Sequence, residues 1–598
     1  MNCSPVQGGP GPESPMPPSQ VTGSPAAGHI LPESRVSGEG TRPRDAASLG
    51  GATRPPGDPP ADRITLRETL ALMRELDDSL SRCMRCGFCQ EVCPVYGQTF
   101  REGDVARGKL ALLQDLGREL IRDPKAVDER LNRCLLCSSC ESICPPGVGI
   151  TEIFLRARAA ITAYRGLGIV KRAIFRLVLP RPRLFGLLAR LGAMYQGIFL
   201  KPASAVLKTS TMPVLKPIVG PRHVPSFPPE GFSASRTRIL EPSGRSGLKV
   251  AYFPGCVPDR LFPGISEATL DVLHHHGVGV VMPEGLCCCG IPLAASGDRK
   301  GFLDLIARNV ESLACDFDWL VTACATCAST IKETWPRFRG AFSGHRLEMI
   351  DRLSERASDL SHFLVNVVKA DFPDRQADAR EAGPSATVRG SDAVGAASIN
   401  ASGHSGSQGA TRRRRVTYHD PCHLRRALKV YEEPRRILKF LPGWEYVEMP
   451  EAARCCGSGG SFTLLHPDVS ESIGTRKRGN IVSVDPDVVA TSCPACMIQL
   501  MDMLSRNGDA VEVRHFAELY AESLAEGEGR TGLSGRPLAD HFVGGEGEDA
   551  AGMPDASGGA SPGKSPATLS GVSLGIPSGA SPGASPMPDG VPPLPWAP

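Results

Sequence analysis

The sequence predicts an α+β multidomain protein in which an α-helical segment with two cysteine-rich loops precedes a duplicated α/β unit, with disordered termini. Two runs of cysteines with identical short spacing occur between residues 83 and 144, within a stretch of helical periodicity. Strand and helix patterns then alternate between about 247 and 524, which is typical of parallel sheets flanked by helices. Five further cysteines recur at matching intervals in both halves of that region, which indicates an internal repeat.

The first cysteine loop, residues 83–94, has the pattern C-x2-C-x2-C-x3-C-P, and residues 134–145 repeat it. Three thiolates separated by two residues each can cover one face of a cubic iron-sulfur cluster, while the fourth ligates the neighbouring cluster. We therefore predict two [4Fe-4S] clusters with crossed ligands. Their ligands are Cys83, Cys86, Cys89 and Cys144 for cluster 1, and Cys134, Cys137, Cys140 and Cys93 for cluster 2. Structural zinc is the alternative, although its spacings normally come as two separate C-x2-C pairs.

Helical patterns surround both loops. Apolar residues recur at a helical period over 63–82, and similar segments at 104–121, 125–133 and 151–165 predict helices, with Pro124 placed where a helix can begin. Residues 61–166 are therefore expected to form an α-helical, two-cluster ferredoxin-type domain.

Composition divides the rest of the 598-residue chain. Residues 1–60 contain no Phe, Tyr or Trp and are dense in Pro, Gly and Ser, and 371–414 and 525–598 are similar, so all three segments are expected to be disordered. The basic stretch 171–216 lies in an expected helical connector, 167–246. It is either an interfacial or partner-docking surface or a connector with solvated arginines. Residues 247–370 and 415–524 are the two copies of the repeat.

Strands are predicted near 248–253, 278–282, 319–322, 416–419, 446–449 and 488–491. The cysteines of each copy fall at or near strand-to-helix junctions, which lie together at the carboxyl edge of a parallel sheet. The five thiols are Cys256, Cys288, Cys289, Cys324 and Cys327 in the first copy, and Cys422, Cys455, Cys456, Cys493 and Cys496 in the second. Five thiols exceed what one tetrahedral zinc uses, so each set predicts a larger iron-sulfur assembly or a thiol left for chemistry. Buried structural thiols are the alternative.

Net charge is +3 with both signs interspersed, which argues against nucleic acid as a partner. Cysteines clustered at metal-ligand spacing indicate a reducing compartment, and residues 1–60 lack an apolar run resembling a signal peptide, so a cytoplasmic location is expected. His419 and His423 flank Cys422 and are candidates either to orient a ligand or substrate or to pack. His515 is expected to be structural.

The chain resembles a known family. The two loops, the YHDPCHL sequence at 418–424, CCGSGG at 455–460 and TSCPACM at 491–497 are similar to those of glycolate oxidase iron-sulfur subunits and lactate-utilisation iron-sulfur proteins. Other relatives are the anaerobic glycerol-3-phosphate dehydrogenase small subunit and the heterodisulfide reductase subunit that fuses ferredoxin and cysteine-rich CCG modules. The resemblance covers about 65–525 and implies that the repeats are CCG domains. It favours Cys288 and Cys289 over Cys287 as ligands, because Gly290 and Pro292 then match the C-C-G-x-P pattern.

The resemblance implies an iron-sulfur electron-transfer subunit of a 2-hydroxy-acid (glycolate or lactate) oxidoreductase. It would pass electrons between an FAD-linked dehydrogenase subunit and a quinone or other acceptor. A membrane quinone or cytochrome partner would place the protein peripherally on the inner face of the cell membrane. Both repeats keep five cysteines, as in the heterodisulfide reductase type with its non-cubane clusters. One or two further clusters, or zinc, are therefore expected there, and a catalytic subunit acting on a disulfide is the alternative function. A zinc-stabilised interaction scaffold is the third.

Overall fold

The computed structural model describes residues 64–213, 220–236, 238–376 and 413–528. The expected disordered segments 1–60, 371–414 and 525–598 lie outside these ranges, apart from 371–376, 413–414 and 525–528. The elements below belong to one unit that begins at Thr65. The predicted architecture, a helical part followed by two α/β units, is confirmed.

The helical part places eight helices around the two cysteine loops. They are α1 (Leu66–Arg74), α2 (Asp77–Ser81), α3 (Phe88–Val92), α4 (Tyr96–Thr99), α5 (Ala106–Gly117), α6 (Pro124–Asn132), α7 (Ser139–Ser142) and α8 (Ile150–Arg165), with a 3₁₀ turn at Glu102–Asp104. A capping box starts α1, where the Thr65 side chain accepts from the Glu68 N–H and the Glu68 carboxylate accepts from the Thr65 N–H. Pro124 opens α6, as the sequence predicts.

The connector is helical only in its first part. It forms α9 (Ile169–Ala173), which continues as a π-helical turn (Ile174–Val178), and α10 (Pro182–Phe199). The antiparallel strands β1 (Lys201–Ser204), β2 (Thr209–Thr211) and β3 (His223–Pro225) and the short helix α11 (Phe232–Ser235) follow. The Arg222–Asp502 ion pair, at 2.9 Å, fastens this small sheet to the second α/β unit. Short, Pro-interrupted segments rich in Thr and Ser explain why strands replace the expected helix.

The first α/β unit contains a five-stranded sheet of order β4-β6-β5-β7-β8, parallel except for β4. Its strands are β4 (Ile239–Leu240), β5 (Lys249–Tyr252), β6 (Gly279–Met282), β7 (Trp319–Thr322) and β8 (Ala357–Asp359). Its helices are α12 (Cys256–Leu261), α13 (Pro263–His275), α14 (Ile291–Ala295), α15 (Arg299–Ser312), α16 (Ala325–Ser329), α17 (His345–Arg356) and α18 (Leu360–His362). A π turn (Thr330–Thr334) and a 3₁₀ segment (Trp335–Ala341) follow α16, and a second π turn (Phe363–Val367) follows α18.

The second unit repeats this topology with four parallel strands of order β10-β9-β11-β12. The strands are β9 (Arg414–His419), β10 (Trp444–Tyr446), β11 (Val488–Thr491) and β12 (Glu512–His515). A π turn (His423–Ala427) and helices α19 (Glu432–Phe440), α20 (Phe462–Leu465), α21 (Pro467–Val482), α22 (Pro494–Arg506) and α23 (Phe516–Glu528) complete it. The order equals β6-β5-β7-β8, which supports the internal repeat. Strands β8 and β12 were not predicted from the sequence, because they carry polar residues and lack the apolar run that marks the predicted strands.

The two sheets share one hydrophobic core. Buried residues of β5 and β7 in the first unit and of β9 and β11 in the second belong to one cluster, which α13 and α23 also join. Because both sheets are anchored to the same core, the carboxyl ends of their strands are held in fixed relation, and these ends carry the cysteines.

Candidate iron-sulfur centres

The first loop forms a cavity near the protein surface. Cys83, Cys86, Cys89 and Cys144 line it, together with Cys140, around a free space of about 360 Å³. The chain turns between Cys86 and Cys89 at Gly87, whose φ of +94° favours glycine. Met84 and Phe88 in the same wall are 66% and 55% exposed, so this centre lies beside an apolar surface open to a partner.

The second loop surrounds a more buried site with about 440 Å³ of non-protein space. Cys134, Cys137 and Cys140 of that loop line it together with Cys93, which comes from the first loop. Cys93 Sγ accepts from the Tyr96 N–H and Cys134 Sγ from the Leu136 N–H, both at 3.4 Å. The walls of the two cavities thus group the cysteines as the crossed assignment requires, while the assignment of ligands stays a prediction.

Two buried cations accompany the second cavity. Lys109 of α5 is 1% exposed and donates through Nζ to the backbone oxygen of Asp104. Arg158 of α8 donates to the backbone oxygen of Cys134 at 3.0 Å and to that of Ala295, in the first α/β unit, at 2.7 Å. Burial lowers the pKa of Lys109, and the thiols of Cys134 and Cys93 counteract this by favouring its charged form. Sequence reasoning missed both residues, although a lysine between the buried positions Ala106 and Leu113 of an apolar helix was a usable signal.

The donor set of both cavities fits an iron-sulfur cluster. Burial, followed by the neighbouring thiol of Cys455, raises the pKa of Cys137 to about 12, and burial also raises the pKa of Cys140. Adjacent buried thiols stay protonated unless a cationic centre replaces their protons. Such a centre would be held through the sulfur atoms of the cysteines, and it would supply one-electron transfer.

The five predicted cysteines of the first repeat form a connected group. Cys256 Sγ lies 3.7 Å from Cys288 Sγ. The remaining thiol contacts are Cys288 with Cys289, Cys289 with Cys327, and Cys327 with Cys324. The additional Cys287 donates its backbone N–H to Asn309 Oδ1 at 2.9 Å, and its exclusion from the ligand set stays a prediction.

The second repeat contains the equivalent series. Its thiol contacts are Cys422 with Cys455, Cys455 with Cys456, Cys456 with Cys496, and Cys496 with Cys493. A nitrogen of His419 lies within 4.8 Å of Cys456 Sγ and Cys496 Sγ. The ring of His419 is fully buried, and neither nitrogen has a hydrogen-bond partner among the described residues. Burial lowers its pKa to about 3, so the ring is neutral.

A glycine follows the cysteine pair in each repeat for a steric reason. Gly290 and Gly457 have φ values of +93° and +91°. A Cβ on Gly290 would lie 2.5 Å from the Phe302 ring, and one on Gly457 would lie 2.8 Å from the Ser470 oxygen. Both N–H groups point to the first cysteine of the pair, with N···S distances of 3.4 and 3.5 Å. The turn that aims both thiols at one centre therefore requires glycine.

The two five-thiol sets adjoin each other. The thiols of Cys324 and Cys493 lie close enough together across the boundary between the repeats for each to affect the pKa of the other. Thr326 Oγ1 lies 3.3 Å from Cys493 Sγ and 3.1 Å from His423 Nδ1, and the Ala325 N–H donates to the Ser492 oxygen at 3.0 Å. His423 therefore belongs to this boundary.

The second loop of the helical domain reaches the second repeat. Cys137 is close enough to Cys455 and Cys422 for charge on one thiol to affect the pKa of another. Arg426 lies between them and donates to the backbone oxygens of Cys137 at 3.5 Å and Ala453 at 2.8 Å. In space the four sites therefore follow the order first cavity, second cavity, second repeat, first repeat.

A cleft opens beside this series where the helical domain meets both repeats. It contains about 920 Å³ of non-protein space, and its walls carry two acidic side chains, Glu141 and Glu333, and four basic ones. The basic side chains are Arg337, His423, Arg426 and Lys429. Thr330 lies in its wall and is close enough to Cys289 to lower the pKa of that thiol, so the cleft extends toward the thiols of the first repeat.

These features define a class of protein, a dicluster ferredoxin domain fused to a duplicated cysteine-rich α/β domain. The 4Fe-4S dicluster domain family matches residues 79–148, and the cysteine-rich domain (CCG) family matches 250–332 and 416–501. The chain is similar to glycolate oxidase iron-sulfur subunits and to lactate-utilisation proteins.

Relatives match over different shares of their length. The probable glycolate oxidase iron-sulfur subunit of Bacillus subtilis (strain 168) is 28% identical over 466 residues, covering 75% of this chain and 94% of the relative. The glycolate oxidase iron-sulfur subunit of Escherichia coli (strain K12) is 24% identical over 460 residues, 75% of this chain and 95% of the relative. One of the fumarate reductase (CoM/CoB) subunits of Methanothermobacter marburgensis is 32% identical over 283 residues, 47% of this chain and 48% of the relative.

Within the described ranges, every helix is too short or too polar to cross a membrane.

Proposed function

We propose that this chain is the iron-sulfur electron-transfer subunit of a 2-hydroxy-acid oxidoreductase, with glycolate or lactate as the substrate of an FAD-linked partner. The observation that carries the proposal is the continuous series of four thiol sites. Cys140 lines both cavities, and Cys137 lies beside Cys455 and Cys422. Two cubane clusters held by the assigned cysteines would pass single electrons along this series to the CCG sites.

The exposed end of the series supports a docked dehydrogenase. Met84 and Phe88 form an apolar surface beside the first cavity, and Arg85 and Arg107 lie in the same wall. A flavoprotein bound there would bring its cofactor next to the most accessible cluster. A quinone or other acceptor would receive the electrons at the CCG end.

Reconstitution tests this function. The chain is purified anaerobically and combined with an FAD-linked glycolate or lactate dehydrogenase, the corresponding substrate is added, and the EPR signals of the reduced clusters are followed. We expect substrate-dependent reduction that disappears when Phe88→Glu disrupts docking. Phe100→Glu, at another exposed aromatic residue (76% exposed), serves as the matched control. Absence of any substrate-dependent cluster signal in an intact complex contradicts the proposal.

A second candidate function is reduction of a disulfide at the CCG sites. It is supported by the contact between Cys324 and Cys493, which joins the two five-thiol sets, and by the cleft beside them. Two electron-accepting centres in contact suit a two-electron reduction, in which the S–S bond breaks as two electrons and two protons form two thiols. Disulfide-dependent oxidation of a reduced dye by the isolated chain favours this function over the first.

Metal analysis separates both from a zinc-stabilised scaffold. The two cubanes alone correspond to about eight irons per chain, and filled CCG sites raise this number. Colourless protein rich in zinc would exclude both electron-transfer proposals.

A further inference from the structure

Helix α10 presents an apolar face to solvent. The exposed side chains are Leu187, Leu188, Leu191, Met194, Tyr195, Ile198 and Phe199, which we call the α10 outer face. At 100° per residue these positions occupy an arc of roughly 140° on a helix about 27 Å long. Met194 and Ile198 are 64% and 73% exposed. An amphipathic helix on the surface of a soluble protein normally packs its apolar stripe against the core and exposes its polar face.

The helix is fastened to the protein by its other side. Arg260 donates to the Pro182 oxygen at 3.1 Å, and a Cβ on Gly186 would lie 2.9 Å from Arg260 Nη1. Near its other end, the Gln196 side chain exchanges two hydrogen bonds with the Phe227 backbone, at 3.0 and 3.1 Å. The attached side is thus defined by close contacts, and the apolar outer face is a fixed feature of the surface.

The stretch of sequence that contains this face is rich in basic residues. Residues 153–229 contain thirteen Lys and Arg and no Asp or Glu, in a protein that otherwise mixes both signs. On the helix, Arg183 and Arg190 are exposed and lie at one edge of the apolar arc, while Tyr195 lies near the other. The turn before the helix also exposes Ile174 and Leu177.

We propose that the α10 outer face docks this protein on an anionic lipid bilayer, with the helix lying in the plane of the membrane interface. Leucine, isoleucine, methionine and aromatic side chains would enter the boundary between headgroups and acyl chains, and the arginines would contact lipid phosphates. Exposed arginines at the edge of an apolar arc complement the negative charge of an anionic lipid surface. The rim of a protein-protein interface would instead normally offer both signs. The docking itself does not depend on the proposed function. Only the idea that the same membrane holds the electron acceptor depends on it.

Vesicle sedimentation with the anaerobically purified full chain tests this inference. We expect binding to phosphatidylcholine vesicles that contain about one third phosphatidylglycerol and weaker, salt-insensitive binding to pure phosphatidylcholine. The double substitution Met194→Glu with Ile198→Glu should reduce binding at least about tenfold. Replacing Arg183 and Arg190 by Gln should reduce binding to the anionic vesicles roughly fivefold per residue and flatten its salt dependence.

The matched control is Leu464→Glu with Leu465→Glu, because these leucines are also exposed, at 52% and 53%, but belong to α20. It should bind vesicles like the unaltered chain. Unaltered protein that stays in the supernatant, or an α10 variant that sediments equally well, overturns the proposal. So does burial of this face by a copurified subunit in the native complex. Vesicle binding needs no substrate, so its failure leaves the electron-transfer proposal intact.

Discussion

Replacing Lys109 by Met should lower the reduction potential of the cluster held by the second loop. Lys109 is buried in the wall of that cavity, and its positive charge stabilises the additional electron of the reduced cluster. Methionine has a similar length and no charge, so the substitution removes mainly the electrostatic stabilisation. The potential should fall, because the reduced state loses more stability than the oxidised state.

The magnitude follows from Coulomb's law. With the ammonium group roughly 8 Å from the cluster centre and an effective dielectric constant of about 20, one unit charge contributes about 2 kcal/mol. For a one-electron couple this corresponds to a decrease of about 90 mV. The Nζ–H···O bond to Asp104 is also lost, and the unpaired carbonyl should cost about 1 to 3 kcal/mol of stability.

An EPR-monitored redox titration of the anaerobic protein measures the shift, after iron analysis has shown that the variant keeps its clusters. Lys109→Arg should retain a potential near that of the unaltered chain, because the charge remains. Lys125→Met, on the exposed start of α6, is the control for an exposed lysine screened by solvent. If Lys109→Met keeps its clusters and its potential is unchanged, the reasoning is refuted.

Three further substitutions test the sites themselves. Cys93→Ser should damage the cluster of the second loop, and loss of only the first-loop EPR signal would contradict the crossed assignment. Gly457→Ala should lower the free energy of unfolding by about 3 kcal/mol, because alanine is strained at this φ and its Cβ clashes with the Ser470 backbone oxygen. Thermal unfolding measures this loss, and metal analysis should show a lower iron content. His419→Phe should alter the spectrum of the second repeat and leave that of the first unchanged, because the first repeat has Phe253 at the corresponding position, three residues before its first cysteine.

Each of these has a control. Gly479 is an exposed position of α21, and a Cβ there would have no neighbour within 4 Å. Gly479→Ala should therefore raise the free energy of unfolding by about 0.5 kcal/mol. A destabilised Gly479→Ala would show that the effect at Gly457 is not specific to its turn. Cys315→Ser, outside every motif, should keep all cluster signals. Equal spectral changes in both repeats of His419→Phe would show a general loss of packing.

The sequence alone allowed much of the fold to be predicted where the pattern is local. Helices α5, α6 and α8 and strands β5, β7 and β11 lie within a few residues of the predicted spans, because apolar periodicity and capping residues act over one or two turns. The short strands β8 and β12 were not predictable, since their conformation depends on pairing with β7 and β11 rather than on their own residues. The extent of the connector helices was not predictable either.

For the candidate sites, the sequence by itself determined which cysteines can act together, because loop spacing limits which thiols reach one centre. Only the tertiary structure decided the order of those centres. The second loop lies beside Cys422 and Cys455, although the first repeat is nearer in the chain, because α8 and Arg426 pack the helical domain against both repeats. The contact of Cys324 with Cys493 and the burial of Lys109 also result from packing between segments that are distant in the chain. The local sequence of each segment does not indicate which other segment it packs against.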